Sequence, residues 1–182
     1  AREIIGLALN KLGYSLNDSN PVHIKQAEQD LQSLTPQVRG VVGDEITMML
    51  QQNEGHIAVV WSGIAAPLVQ EGDTYDYVVP KEGSNLWFDN MVIPKTAQNK
   101  EGAYQFINFL LDAKNNKQNT EWVGYATPNK AARNLLPNNI KNDHRFYPTQ
   151  KEQKRLEVYK DLGEKTLGEY NESFLNFKMS LK

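Results

Sequence analysis

The sequence predicts an α/β layer fold, on three observations. Segments with helical periodicity alternate with short, nearly all-apolar runs through the first half of the chain. Clusters of Gly, Pro, Asn and Ser punctuate them at the places where an element should end. The apolar runs lack polar alternation, which is the pattern of strands covered on both faces.

Taken in order, "AREIIGLALNKLGY" carries Ile4, Ile5, Ala8, Leu9 and Leu12 at spacings of three and four, an amphipathic helix that ends near Gly13. It starts at the first residue with none of the Ser, Thr, Asp or Asn residues that favour a helix start. We expect the natural sequence to continue upstream; the alternative is a boundary that costs only a frayed turn. "SLNDSNP" is a turn-rich loop, and "PVHIKQAEQDLQSL" is a second helix opened by Pro21, with Val22, Ile24, Ala27, Leu31 and Leu34 on its apolar side. "QVRGVVG" reads as a short strand, "DEITMMLQQN" as a helix with Asp44 as its N-cap, and "HIAVVWSG" as a buried strand ending at Trp61. "SGIAAPLVQEG" is a helix or helical turn, "YDYVVP" a short strand, and Phe88 to Ile93 of "SNLWFDNMVIP" a buried strand. Beyond Pro94 the pattern is helical: "NKEGAYQFINFLLDA" places Ala103, Phe106, Ile107, Leu110 and Leu111 on one face, and "NKQNTEWVGY" ends near Gly124. "ATPNKAARNLLP" is a loop and short helix, "RFYPTQ" a turn, and "KEQKRLEVYKDLG" and "GEYNESFLNFKMSLK" two closing helices. No repeat, low-complexity tract or flexible tether interrupts this order.

Composition removes several classes of function. A net charge of −2 without a basic run argues against nucleic acid and anionic membrane as partners. The chain has no cysteine, so disulfides, thiolate metal sites and a Cys nucleophile are excluded within it. No apolar run approaches the ~18 residues of a spanning helix. His23, His56 and His144 lack the spacing of a metal motif, and neither a phosphate loop nor a dinucleotide fingerprint occurs, so no metal and no cofactor is expected. "WSGIA" sets Ser62 at a strand-to-helix turn but lacks the Gly-x-Ser-x-Gly frame of a nucleophile elbow. Carboxylates such as Asp44 with Glu45, or Glu3 with Asp89, are the pairs open to acid/base work.

What remains is aromatic. Trp61 closes one predicted strand, Trp87 opens another, and Tyr125 follows a helix in "GYATPN". In open α/β sheets ligands bind beyond strand ends. On a strand, Trp87 and Asp89 share a side. An indole and a carboxylate facing one space suit an organic cation: the ring contributes roughly 0.5–2 kcal/mol, and an ammonium at ~4 Å from a carboxylate about 4 kcal/mol at an effective dielectric of 20, before desolvation. The same rings could equally be core.

"NLWFDNMVIP", then "NKEGAYQFINFLL" and "VGYATPNKAAR", resembles the spermidine/putrescine-binding proteins of polyamine ABC importers. "AREIIGLALNKLGYSLN" upstream and "FYPT" downstream are similar to the same family, in the same order and across essentially the whole chain. The resemblance implies a type II periplasmic-binding-protein-like fold, of which this chain would supply one nearly complete lobe and part of the other. It implies residues 1–88 and 134–182 in the second lobe, 89–133 in the first, and a polyamine held between lobes.

It further implies ligand contacts by Glu3, Trp61, Trp87, Asp89 and Tyr125. Glu3 matches the second acid of the family's Asp-x-x-Glu; the first would fall just before Ala1. Trp87 and Asp89 match its Trp-x-Asp, ring on the alkyl chain and carboxylate on an amine. Tyr159 is a possible contact where the family often has Gln. The implied partners are the ligand, the permease subunits of an ABC transporter and the N-terminal half of the same protein. The implied location is extracytoplasmic, as a cell-surface lipoprotein or in a periplasm, with no enzymatic activity. Three alternatives remain at this level: a different cation or an anion in the same fold, with Arg2 and Lys81 the nearest cationic candidates; an acid/base enzyme using Glu3 and Asp89; and a surface-adhesion module.

Without an upstream half, the helices over 99–111 and 115–123 should expose apolar faces. The isolated chain is therefore expected to associate, or to keep a companion chain, on gel filtration; a clean monomer with no companion contradicts this.

Overall fold

A computed structural model describes residues 1–72 and 74–181. In chain order the helices are α1 (Arg2–Lys11), α2 (Pro21–Ser33), α3 (Ile46–Gln51), α4 (Ser62–Gln70), α5 (Lys100–Leu111), α6 (Ala113–Val123), α7 (Lys130–Leu135), α8 (Asn138–Lys141), α9 (Gln150–Gln153) and α10 (Gly163–Ser180). A 3-10 turn spans Thr35–Gln37, and strands β1 (Ser84–Asn85) and β2 (Leu156–Glu157) pair in parallel, Ser84 opposite Leu156 and Asn85 opposite Glu157. The chain divides into two compact units, one of 1–58, 79–87 and 150–182, the other of 59–78 and 88–149.

The first unit is built on α1, α2 and α10. Ile5 and Leu9 of α1, Ile24, Ala27 and Leu31 of α2, and Tyr170 and Phe177 of α10 form one buried cluster. Gly13 closes α1 with φ +82°, a conformation glycine adopts without strain. Asn20 caps α2 by accepting from Val22 N at 3.0 Å, directly before Pro21 at the first helical position. One polar residue is sealed between α2 and α10. Glu28 is 2% exposed, and its Oε1 accepts from Lys25 Nζ at 2.6 Å and Gln32 Nε2 at 3.3 Å. Burial alone would raise its carboxyl pKa, but the bonds from Lys25, Ser173 and Asn176 outweigh burial and hold it below its ordinary value.

The second unit is assembled from capped helices. Asn99, Asp112 and Asn129 cap α5, α6 and α7 through their side chains. Thr127 Oγ1 donates to Asn116 Oδ1 at 2.6 Å, and Asn129 Nδ2 to Leu111 O at 2.8 Å, so the 127–129 turn is tied back to α6 and the end of α5. Arg133 lies over the Tyr147 ring at 4.2 Å. α5 itself buries no residue: Tyr104, Phe106, Phe109 and Leu111 are all exposed, as is Trp122 of α6.

Several expected elements differ. The runs at 37–43, 56–61, 75–80 and 88–93 are not strands. A strand exists only against a neighbour's backbone, and the one pair among the described residues is β1 with β2. Val38 and Val41 still pack against the first unit's core, whereas Ile57 (93% exposed), Val78 and Val92 face outward. The "KEQKRLEVYKDLG" helix survives only as α9. Its second half is drawn into β2, where Glu157 O accepts from Leu86 N at 2.8 Å and the Glu157 carboxylate accepts from Ser15 Oγ and, at 3.0 Å, from Leu16 N. Tertiary pairing overrides helix propensity there. Asp44 is not a side-chain cap; α3 starts at Ile46, and Glu45 Oε2 instead accepts from Gly43 N at 2.9 Å in the preceding turn. Val22 and Leu34 are exposed: Val22 is two residues, about 200° of helical rotation, from Ile24, and Leu34 lies past the end of α2.

Glu28→Gln should cost about 1–3 kcal/mol at neutral pH. A depressed folded pKa stabilises above the ordinary carboxyl value of 4.5, and that stabilisation is lost as pH falls from there through the folded value. Urea unfolding followed by circular dichroism should therefore show the gap between wild type and Glu28→Gln narrowing below about pH 4.5; a gap independent of pH contradicts the charged-carboxylate account.

Candidate functional site

Glu3, Trp87 and Tyr159 belong to the first unit; Trp61, Asp89 and Tyr125 belong to the second. Each unit therefore presents its own constellation.

In the first unit Glu3 lies in the opening turn of α1, with its side chain 44% exposed. Gly6 follows three residues later on the same helix face. Tyr159 approaches that face: its Oη lies 3.9 Å from where a Cβ on Gly6 would stand, and Leu16 Cδ2 is only 2.9 Å from that point. A Cβ at position 6 would force the Leu16 methyl to shift while meeting the Tyr159 hydroxyl at ordinary contact distance. Burial first, and then the negative charge of Glu3, push the Tyr159 phenol up to about 12, so the hydroxyl keeps its proton near neutrality. Beneath it the loop after α1 is knitted to β2. Glu157 accepts from Asn17 Nδ2 at 3.3 Å besides Ser15 and Leu16, and Asn17 Oδ1 accepts from Lys160 N at 2.8 Å. Burial works against the charged Glu157, but these donors outweigh it and lower its pKa. Trp87, two residues beyond β1, is half-buried.

In the second unit a glycine of α4 seats one of the candidate aromatic rings. Trp61 stands at the N-cap of α4, 48% exposed, and its carbonyl accepts from Ile64 N and Ala65 N, which fixes the start of the helix. Two residues on, Gly63 receives the Tyr125 ring: an added Cβ would fall 2.3–2.4 Å from three ring carbons. Gly124, at φ +74°, ends α6 and turns the chain so that Tyr125 reaches α4. Tyr77 stacks on Phe146 with centroids 5.5 Å apart, and Arg145 holds this pair's flanks by bonding Asp76 at 2.9 Å and Asp143 at 2.7 Å. Burial, with the Tyr125 phenol adding to it, raises the Tyr77 pKa. Asp89 is exposed.

The structure thus brings Tyr159 within electrostatic reach of Glu3, and seats Tyr125 on Gly63, two residues along α4 from Trp61. Trp87 and Asp89 do not share the face of a strand, because residues 88–93 are not a strand and the two residues fall in different units. Gly63 and Gly6 were not singled out in the sequence. Their signal was present only as glycines inside helical patterns, where glycine costs helix stability and so points to close packing. No cluster of three or more metal-ligating side chains occurs among the described residues.

Residues 3–148 match the family of bacterial extracellular solute-binding proteins. The chain is 41% identical over 163 residues to the spermidine/putrescine-binding periplasmic protein of Escherichia coli K12, an alignment covering 90% of this chain and 47% of that protein. Among solved structures, a protein described as a spermidine/putrescine ABC transporter from Listeria monocytogenes superposes with a TM-score of 0.91 at 54% identity, over 98% of this chain and 55% of its own. The spermidine/putrescine ABC transporter substrate-binding protein of Streptococcus pneumoniae gives a TM-score of 0.88 at 48% identity, over 100% and 56%. The chain spans about half the length of the relatives it matches. The names of these relatives are those of binding and transporter proteins, not of enzymes.

Gly63→Ala should displace Tyr125 and cost about 1–3 kcal/mol by overpacking, read as a lower unfolding temperature. Gly168→Ala, where a Cβ meets nothing within 4 Å, should be neutral or slightly stabilising in its helix. Equal effects at the two positions contradict the seat assigned to Tyr125.

Proposed function

The chain belongs to the bacterial extracellular solute-binding protein family, and from that premise we propose that it is part of a protein that binds spermidine or putrescine and delivers it to an ABC importer. The observation that carries this reading is its identity to polyamine-binding relatives along nine-tenths of its length. We propose that the intact protein has the two-lobed type II arrangement, with 1–88 and 134–182 in one lobe and 89–133 in the other, and takes the ligand between them. The compact unit holding 88–149 also includes 59–78, so this division is a statement about the intact protein.

The chemistry fits a chain of methylenes with separated ammonium groups. Glu3 and Asp89 offer carboxylates, and a buried ammonium needs such a partner to offset several kcal/mol of desolvation. Trp61, Trp87 and Tyr125 offer faces that accept both methylenes and cations. Tyr159 adds a neutral hydroxyl beside Glu3. Lobes that hinge shut on the ligand would withdraw these groups from water together, and the closed form would dock on the permease subunits. The N-terminal half of the same protein would cover the apolar face of α5. We assign the protein an extracytoplasmic location, as a lipoprotein or in a periplasm.

Calorimetric titration of the intact protein with putrescine and spermidine tests the roles. Asp89→Asn should raise Kd at least about 30-fold, since removing one partner of a buried charge pair costs ~2 kcal/mol or more. Trp61→Ala should weaken binding about tenfold, within the range for a lost cation–aromatic contact. Lys117→Ala, which loses only an exposed i,i+4 pair with Glu121, should change nothing. Equal effects of Asp89→Asn and Lys117→Ala would sink the assignment.

A further inference from the structure

We propose that Arg2 is a positioning residue for ligand binding: its guanidinium holds the Tyr159 ring against the Glu3 face of α1, and the pair sets how that end of the site receives an amine. This inference rests on the polyamine reading.

The Arg2 guanidinium carbon lies 4.3 Å from the centroid of the Tyr159 ring and 5.8 Å from that of Tyr170. Its Nη1 donates to Lys160 O at 2.8 Å, and Nη2 to Asn17 Oδ1 at 2.9 Å and Leu16 O at 3.3 Å. One planar cation thus joins the start of α1, the loop after it, the residue following Tyr159 and a core ring of α10. Its Nε is buried without a hydrogen-bond partner among the described residues. The bonds of this half-buried side chain all go to backbone and amide oxygens, the contacts of a scaffold rather than of an anion site. A cationic side chain beside a site for cations would ordinarily repel the ligand. Here its donors face carbonyl and amide oxygens and its flat face is covered by the phenol ring.

The backbone on either side of Tyr159 is held by Asn17, whose Nδ2 donates to Val158 O at 3.1 Å and whose Oδ1 accepts from Lys160 N at 2.8 Å, and Arg2 is what lies against the ring itself. Tyr159 follows the two-residue strand β2 and is itself half-buried, between exposed Val158 and Lys160. With Arg2 on its ring, its hydroxyl is directed to α1 at Gly6, one turn from Glu3. A protonated phenol there can accept from an ammonium while donating to the carboxylate. Lysine could supply the charge of Arg2 but not the fork that reaches three oxygens while lying flat on a ring.

The test is a double-mutant cycle on the intact protein, titrated with putrescine and with spermidine. Arg2→Met should raise Kd for at least one amine about tenfold, the middle of the range for residues in contact, and by less than about twofold when Tyr159 is already changed in Tyr159→Ala. Arg2→Lys should recover less than half of the loss. If Arg2→Met does not fold, Arg2→Lys in the two backgrounds gives the same reading. Equal losses in both backgrounds, or no loss in either, overturn the role of Arg2 while leaving the polyamine reading standing. A wild-type protein that binds neither amine overturns that reading and this inference with it.

Discussion

The seating of α1 between α2 and α10 is the constraint on which the first unit depends. Ile5 and Leu9, both fully buried, fix the rotation of α1 against Ile24, Ala27, Tyr170 and Phe177. A slip of one residue would turn the helix by about 100°, carrying Glu3 and Gly6 off the face that Tyr159 meets. The apolar contacts alone would tolerate some sliding, as helix ridges do. Polar bonds remove that freedom. Tyr170 Oη donates to Asp18 O at 2.8 Å, anchoring the loop after α1, and Glu28 ties α2 to α10 from inside the interface. The carboxylate proposed to meet an amine is therefore exposed, while everything that aims it is buried.

The second unit achieves positioning by different means. Three of its helices, α5, α6 and α7, carry side-chain caps, and the residues it buries in α4 and α7 include the small Ala65, Ala66 and Ala132 beside the larger Leu68. Small residues allow close approach, and Gly63 takes this furthest by admitting an aromatic ring onto the helix backbone. Tyr125 is seated two residues from Trp61 because α4 follows its N-cap tryptophan with a glycine at the second helical position. The apolar stripe of α5 is only partly covered: Ala103, Ile107 and Leu110 are half-buried, while Phe106 and Leu111 are exposed.

Helices were legible in the sequence and strands were not, for a physical reason. A helix satisfies its own backbone, so Pro21 behind Asn20, the Ile24–Ala27–Leu31 spacing and the stop at Gly13 each report on a structure formed locally. A strand's bonds are made elsewhere in the chain. "HIAVVWSG" and "NMVI" carry strand composition, yet nothing in them says whether a partner is at hand. Residues 156–157 show the converse, a helical-looking segment captured by a partner at 84–85. Of the candidate site, the carboxylates and rings were found by residue type and by resemblance. The elements that place them were not: Gly63 and Gly6 carried no distinctive signal and Arg2 stood out only as a cation, because their roles lie in distances between segments remote in sequence. Glu28 escaped for the same reason: a glutamate on a helix reads as solvent-facing until its donors on α10 are known.

The claim that orders all of this is that the intact protein selects linear organic cations. The direct measurement is a calorimetric titration of the intact wild-type protein with putrescine, spermidine, arginine and a phosphate ester under the same conditions. The account predicts micromolar or tighter binding of a polyamine, with arginine much weaker and the phosphate ester silent. Binding of the anion, or of none of the amines, would contradict it, while leaving the family and the fold in place.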